Sequence, residues 1–189
     1  FSEKHIPIIA GPNGVESMQL MLKVARQLKK NKINIIRGHA YKPLTFPYRS
    51  KMYKESKSSG MDIMDEIKKE FSLKVVTEVT EIRYLNRITR TADILQIGSR
   101  NMQNLELLKE VSNTKFPIIL KRHCGASLRD FLGAAEHILV NGNQNLILCE
   151  RGVSMPHTHR STSRFALDIQ AIPALKEITK FPIISDPSH

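Results

Sequence analysis

Ile33-Asn34-Ile35-Ile36-Arg37-Gly38-His39-Ala40-Tyr41-Lys42-Pro43-Leu44-Thr45 is the stretch from which the rest of the chain can be read. Ile33, Ile35 and Ile36 are β-branched and read as a buried strand, which leaves Arg37 where that strand emerges from the core. Pro43 fixes its own φ and holds the residue before it extended, limiting the excursions of Lys42. Two cations held close at a strand's carboxyl end suit a compact phosphate or carboxylate, Arg37 as a bidentate fork and Lys42 as a point charge or proton donor. Taken alone, the pair is equally a solvated turn, because surface turns rich in Lys and Arg are common.

Six further apolar runs share this character: Ile6 to Ala10, Lys74 to Val79, Ile94 to Gly98, Pro117 to Lys121, Leu146 to Glu150 and Phe181 to Ser185. Strands that are apolar throughout, not alternating, mark a parallel sheet covered on both faces. Between the runs, Met18, Met21, Leu22, Ala25 and Leu28 recur at helical spacing, as do Ile63, Ile67 and Phe71, then Leu105, Leu108 and Val111. Ser127-Leu128-Arg129-Asp130 has capping-box spacing, and Asp168 to Thr179 makes a last helix. Residues Tyr53 to Gly60, rich in Lys and Ser, read as a mobile loop.

A β-then-α cadence admits an eight-stranded barrel or an open doubly wound sheet. The polar residues separate them. Asn13, Arg37, Glu78, Arg100, Lys121, Glu150 with Arg151, and Asp186 with His189 follow nearly every run. An open sheet concentrates ligand groups at one switch point, whereas a barrel draws them from many strand ends, and no GxGxxG fingerprint is present. The expected fold is therefore α/β, a TIM (β/α)8-type barrel with about seven βα units, forming a single domain over residues 1–189 that is incomplete at its C-terminus.

The 189 residues carry 29 Lys and Arg against 18 Asp and Glu, a formal net charge of +11, which favours acidic partners. These cations are spread along the chain, Trp is absent and other aromatics are few, which argues against a nucleic-acid stacking platform. No long apolar run or signal-peptide pattern is visible, so neither membrane nor export is expected, and the chain is placed in the cytoplasm. Cys124 and Cys149 form no CxxC pattern and read as reduced thiols.

In a barrel, Arg37, Lys42, Arg100, Lys121 and Arg151 converge over one mouth with Glu78 among them, a costly arrangement unless a multiply charged anion sits there. The motifs that hold them also carry a resemblance. Ile9 to Ser17, Arg37 to Thr45 with Pro47-Tyr48, Val76-Thr77-Glu78-Val79, Gln96 to Asn104, Leu120-Lys121-Arg122, Ile147 to Gly152 and Asp186-Pro187-Ser188-His189 are similar to successive motifs of the 3-deoxy-D-arabino-heptulosonate 7-phosphate (DAHP) synthases. The branch resembled is the one related to 3-deoxy-D-manno-octulosonate 8-phosphate synthase. The likeness runs in order over essentially the whole chain.

That resemblance implies a barrel that condenses phosphoenolpyruvate with erythrose 4-phosphate, giving DAHP and phosphate, the first step of the shikimate pathway to aromatic amino acids. It implies that Arg100, Lys121 and Arg151 hold the phosphoenolpyruvate phosphate and Arg37 its carboxylate, and that Lys42 stands between the two substrates. Glu78 orients these cations or a water, and Thr45 belongs to the loop that receives the sugar phosphate. His189 matches a ligand for a divalent metal such as Mn2+, which polarises the aldehyde oxygen. A homo-oligomer is also implied.

Three departures from the family pattern stand out. Asn13 replaces the Cys of metal-using members, a neutral carbonyl in place of a thiolate, while related octulosonate enzymes that work without metal have Asn there. Leu44 replaces an arginine and removes a bidentate grip on the sugar phosphate. The later Glu and Asp metal ligands fall beyond His189. His39 stands where the family usually has Gly, and either crowds the phosphoenolpyruvate site or faces solvent. His157 and His159 read as solvated loop residues, and Cys124 as a small residue near the mouth. These departures leave an alternative function: a catalytically impaired relative that binds a phosphorylated metabolite without turnover.

Overall fold

The computed structural model describes residues 6–42, 56–155 and 165–188. They fall into two compact units, Phe1–Leu95 and Gln96–His189.

The first unit begins with β1 (Ile9–Ala10), α1 (Met18–Lys30), β2 (Ile35–Arg37), α2 (Lys57–Phe71) and β3 (Lys74–Glu78). A 3-10 turn (Ile82–Tyr84) and the short α3 (Leu85–Ile88) follow, and β4 (Ile94–Ile97) runs across the boundary. β1, β2 and β3 pair in parallel in chain order, with Ile9 opposite Ile35, and Ile36 opposite Val75. Ser17 starts α1 by accepting a hydrogen bond from the Leu20 amide at 3.2 Å, and Lys29 and Lys30 sit favourably at its C-terminal dipole end. Met21, Ala25 and Leu28 fall at i, i+4 and i+7 and are buried with Ile36, Met64, Ile67, Leu73 and Val75 in one core. Burying each of the larger side chains contributes about 1.5–3 kcal/mol.

The second unit continues with a 3-10 turn (Ser99–Asn101), α4 (Leu105–Asn113), β5 (Ile118–Lys121), α5 (Leu128–Val140) and β6 (Leu146–Glu150). A hairpin of β7 (Val153–Ser154) and β8 (Phe165–Ala166) precedes α6 (Ala171–Ile178) and β9 (Ile183–Ser185). β5, β6 and β9 are parallel neighbours, with Lys121 opposite Cys149 and Glu150 opposite Ser185. The capping box forms as its spacing predicts: Ser127 Oγ accepts from the Asp130 amide and Asp130 Oδ2 accepts from the Ser127 amide, each at 3.1 Å.

In each unit successive strands of the parallel sheet lie side by side in chain order, with no reversal at a switch point, which is the cadence of a (β/α)8 barrel. Among the described residues, seven strands, β1 to β6 and β9, fall at the seven expected runs. Three expectations need correction. β1 is only Ile9–Ala10, and the preceding Ile6 and Ile8 are exposed. Residues 57–60 belong to α2, where the composition had suggested a loop. The turn and α3 between β3 and β4, and the β7–β8 hairpin, are additional elements. Both cysteines are free thiols, and among the described residues no helix is long and apolar enough to cross a membrane.

Candidate active site at the strand ends

In the first unit, Arg37 is the last residue of β2 and Glu78 the last of β3. Arg37 Nη2 donates to the Gly11 carbonyl at 3.3 Å, which ties the guanidinium to the loop after β1. That loop approaches closely because Gly11 has φ +144°, and a Cβ there would lie 2.1 Å from the Arg37 oxygen. The Gly38 amide donates to the Val76 carbonyl at 3.1 Å, extending the β2–β3 ladder past the end of β2.

His39 is fully buried, so it does not face solvent. Its Nδ1 accepts from the Glu78 amide at 2.9 Å, and its Nε2 lies 3.8 Å from Glu78 Oε2. Its carbonyl accepts from the Val15 amide at 3.1 Å. Lys42 is half-buried and follows Tyr41, whose ring stacks on Tyr84 with centroids 4.0 Å apart and planes within 14°. Burial pushes the Tyr41 phenol above its ordinary value, against a smaller opposing effect from Arg87. Thr45 and Leu44 lie outside the described residues, as do His157, His159 and His189.

In the second unit, Lys121 ends β5 and donates through Nζ to Asp186 Oδ2, the two side chains being 5% and 12% exposed. Asp186 is held in turn: its amide donates to the Glu150 carbonyl at 2.8 Å, and its Oδ1 accepts from the Ser188 amide at 3.1 Å and hydroxyl at 2.6 Å. Arg151 follows β6, buried, with its guanidinium 3.8 Å from the centre of the Phe165 ring, a cation–π contact carried by the hairpin. Arg100 is exposed in the 3-10 turn after β4.

The neighbouring cation has a different environment. Arg122 Nη1 contacts Glu150 Oε2 at 2.8 Å and Asp168 Oδ2 at 3.0 Å, while Nε donates to the Ala126 carbonyl at 2.9 Å. Glu150 is wholly buried and also accepts from the Gly152 amide at 2.6 Å. Burial works against the Arg122 charge, but the two carboxylates outweigh it and raise the guanidinium above its ordinary value. Glu150, which ends β6 as Lys121 ends β5, is thus committed to a buried clamp that holds the fold. Sequence reading missed Arg122, Asp168 and Phe165 as parts of this surrounding. Strand alternation offered one usable signal, since Lys121 and Arg122 are adjacent and must point to opposite sides.

Cys149 is buried, and that burial pushes its thiol up to about 12, which rules it out as a nucleophile near neutral pH. A divalent ion fits the described residues poorly. Asn13 is exposed and brings only an amide, Asp186 and Glu150 are already paired with cations, and among the described residues no group of three His, Cys, Asp or Glu is placed to hold one.

The chain as a whole is similar to known proteins in both sequence and fold. The chain is 37% identical over 185 residues to the phospho-2-dehydro-3-deoxyheptonate aldolase of Thermotoga maritima, covering 98% of this chain and 53% of that protein. It is 28% identical to the 2-dehydro-3-deoxyphosphooctonate aldolase of Methylococcus capsulatus, covering 96% of this chain and 64% of the other. The chain thus spans between half and two thirds of the length of these relatives. A crystal structure of the Thermotoga maritima DAHP synthase superposes with a TM-score of 0.87 at 36% identity, over 99% of this chain and 52% of that one. A truncated form of the same organism's 3-deoxy-D-arabino-heptulosonate 7-phosphate synthase superposes with a TM-score of 0.83 at 34% identity, over 97% of this chain and 64% of that one. These likenesses bear out the α/β fold of (β/α)8-barrel type. Residues 2–189 match the model of the DAHP synthetase I family, and with the sequence identity and the fold in agreement, the chain belongs to that family.

Proposed function

We propose that this chain carries the phosphoenolpyruvate site of an aldol-type synthase that condenses phosphoenolpyruvate with erythrose 4-phosphate to give DAHP and phosphate, the entry to the shikimate pathway. The observation that carries this reading is the occurrence of Arg37, Lys121 and Arg151 at the carboxyl ends of parallel strands in a chain 37% identical to a phospho-2-dehydro-3-deoxyheptonate aldolase. In the reaction, C3 of the enol attacks the aldehyde carbon, water adds at C2, and phosphate leaves with cleavage of the C–O bond.

The chemistry asks the protein for cations that bind a phosphate and a carboxylate and hold C3 against the acceptor carbonyl. Arg100, Lys121 and Arg151 bind the phosphate in this reading, and Arg37 binds the carboxylate. Lys42 supplies a proton or a polarising charge between the substrates, Glu78 orients a cation or the attacking water, and Thr45 contributes to the sugar-phosphate loop. Asp186 holds the Lys121 ammonium at a fixed orientation, which lowers the entropy lost when a phosphate docks. A divalent ion such as Mn2+ with His189 as a ligand belongs to the proposal only as what the family leads one to expect, beside described residues that fit it poorly. A cytoplasmic location, a homo-oligomer, and a single barrel domain of which residues 1–189 form an incomplete part also belong to it. Binding without turnover is not favoured.

The test is a coupled assay of phosphate release with phosphoenolpyruvate and erythrose 4-phosphate, run with manganese and with chelator. Turnover that depends on both substrates supports the proposal. Absence of turnover in every condition, also with other short sugar phosphates, overturns it.

A further inference from the structure

We propose that His39 is the positioning residue that sets the Glu78 carboxylate, acting as the imidazole tautomer with its proton on Nε2. The inference rests on the role given to Glu78 above, but its geometric basis is independent of that role. The ring is fully buried, and both of its nitrogens address a single residue. Nδ1 accepts the Glu78 amide hydrogen at 2.9 Å. A nitrogen that accepts carries no proton, so in the neutral ring the proton is on Nε2. Nε2 then presents an N–H dipole to Glu78 Oε2 at 3.8 Å, beyond a hydrogen bond but close enough for attraction in a water-poor setting.

The same residue joins three strand ends. Its carbonyl takes the Val15 amide from the loop after β1, its own chain continues β2, and its ring holds the last residue of β3. A side chain that holds the Glu78 amide and turns an N–H toward its carboxylate restricts where that carboxylate can go, and that is the requirement for orienting a cation or a water.

The experiment compares the wild type with His39→Asn, whose Oδ1 can take the place of Nδ1 as acceptor, and His39→Ala, which removes the acceptor. Nitrogen NMR of the wild-type ring should place the proton on Nε2. The Glu78 amide should be protected from hydrogen exchange in the wild type and in His39→Asn, and should lose that protection in His39→Ala while the thermal midpoint shows the protein folded. In the condensation assay, kcat should fall on the order of tenfold to a hundredfold in His39→Ala with KM for phosphoenolpyruvate little changed, and His39→Asn should recover most of it. A proton on Nδ1, unchanged protection of the Glu78 amide in His39→Ala, or wild-type kcat in that variant overturns the proposal. A wild type that turns over nothing overturns the condensation instead, and the tautomer and exchange readings then decide the role of His39.

Discussion

Lys121, at the end of β5, places its ammonium on the carboxylate of Asp186, which follows β9, with both side chains largely withdrawn from water. A cation assigned to a substrate phosphate therefore already has an anion beside it. Replacing Asp186 with Asn should leave the Lys121 charge poorly compensated and cost on the order of 3 kcal/mol of stability. Urea denaturation with an unchanged m-value measures it. A loss below about 1 kcal/mol would place the pair among ordinary surface ion pairs.

Arg122 and Glu150 should behave as a unit. Arg122→Met strands a fully buried carboxylate and is expected to cost about 3–5 kcal/mol. Adding Glu150→Gln should return part of that loss, because the uncompensated charge is removed. Additive penalties in the double-mutant cycle would show that the two side chains do not interact.

Gly11→Ala introduces a Cβ 2.1 Å from the Arg37 oxygen at a φ of +144°. The backbone must move, at a cost on the order of 3 kcal/mol, and Arg37 moves with it. The expected result is a raised KM for phosphoenolpyruvate together with a lower unfolding midpoint. A variant with wild-type values of both would refute the close approach of the two strand ends.

The Cys149 thiol, pushed up to about 12 by burial, gives a signed pH dependence. In the unfolded chain a thiol ionises near 8.5. Between about 8.5 and about 12 the native state keeps a proton that the unfolded state has released, so this group's contribution to stability is complete below about 8.5 and is lost as pH rises toward 12. Cys149→Ala should flatten the alkaline fall in unfolding free energy. In the native wild type at pH 8, a disulfide reagent should modify the half-buried Cys124 and spare Cys149.

β3 to β6 were legible because their apolar runs are largely buried in successive residues, and β6 matches its predicted span from Leu146 to Glu150. β1 was overextended because Ile6 and Ile8 satisfy the same pattern while standing exposed. The start of α2 was hidden by Ser58-Ser59-Gly60, weak helix formers held in a helix whose following Met61, Met64 and Ile67 are fully buried. α3 spans four residues, too few for a period to show. At the strand ends, residue type disclosed which side chains carry charge. The choice of partner was not readable, since Lys121 meets Asp186 across 65 positions of sequence. The partner of His39 was hidden for a similar reason: the amide that occupies its ring belongs to Glu78, on another strand.

Asp168 serves two structures at once, accepting from the Ala171 amide at the head of α6 and from Arg122 at the end of β5. With Glu150 it balances one buried guanidinium, so the three positions cannot drift independently over evolutionary time. A lineage that loses any one of them by a single substitution carries an exposed helix start or an uncompensated inner charge until a second change arrives. Arg122, Glu150 and Asp168 should therefore be inherited as a block, exchanged together or not at all.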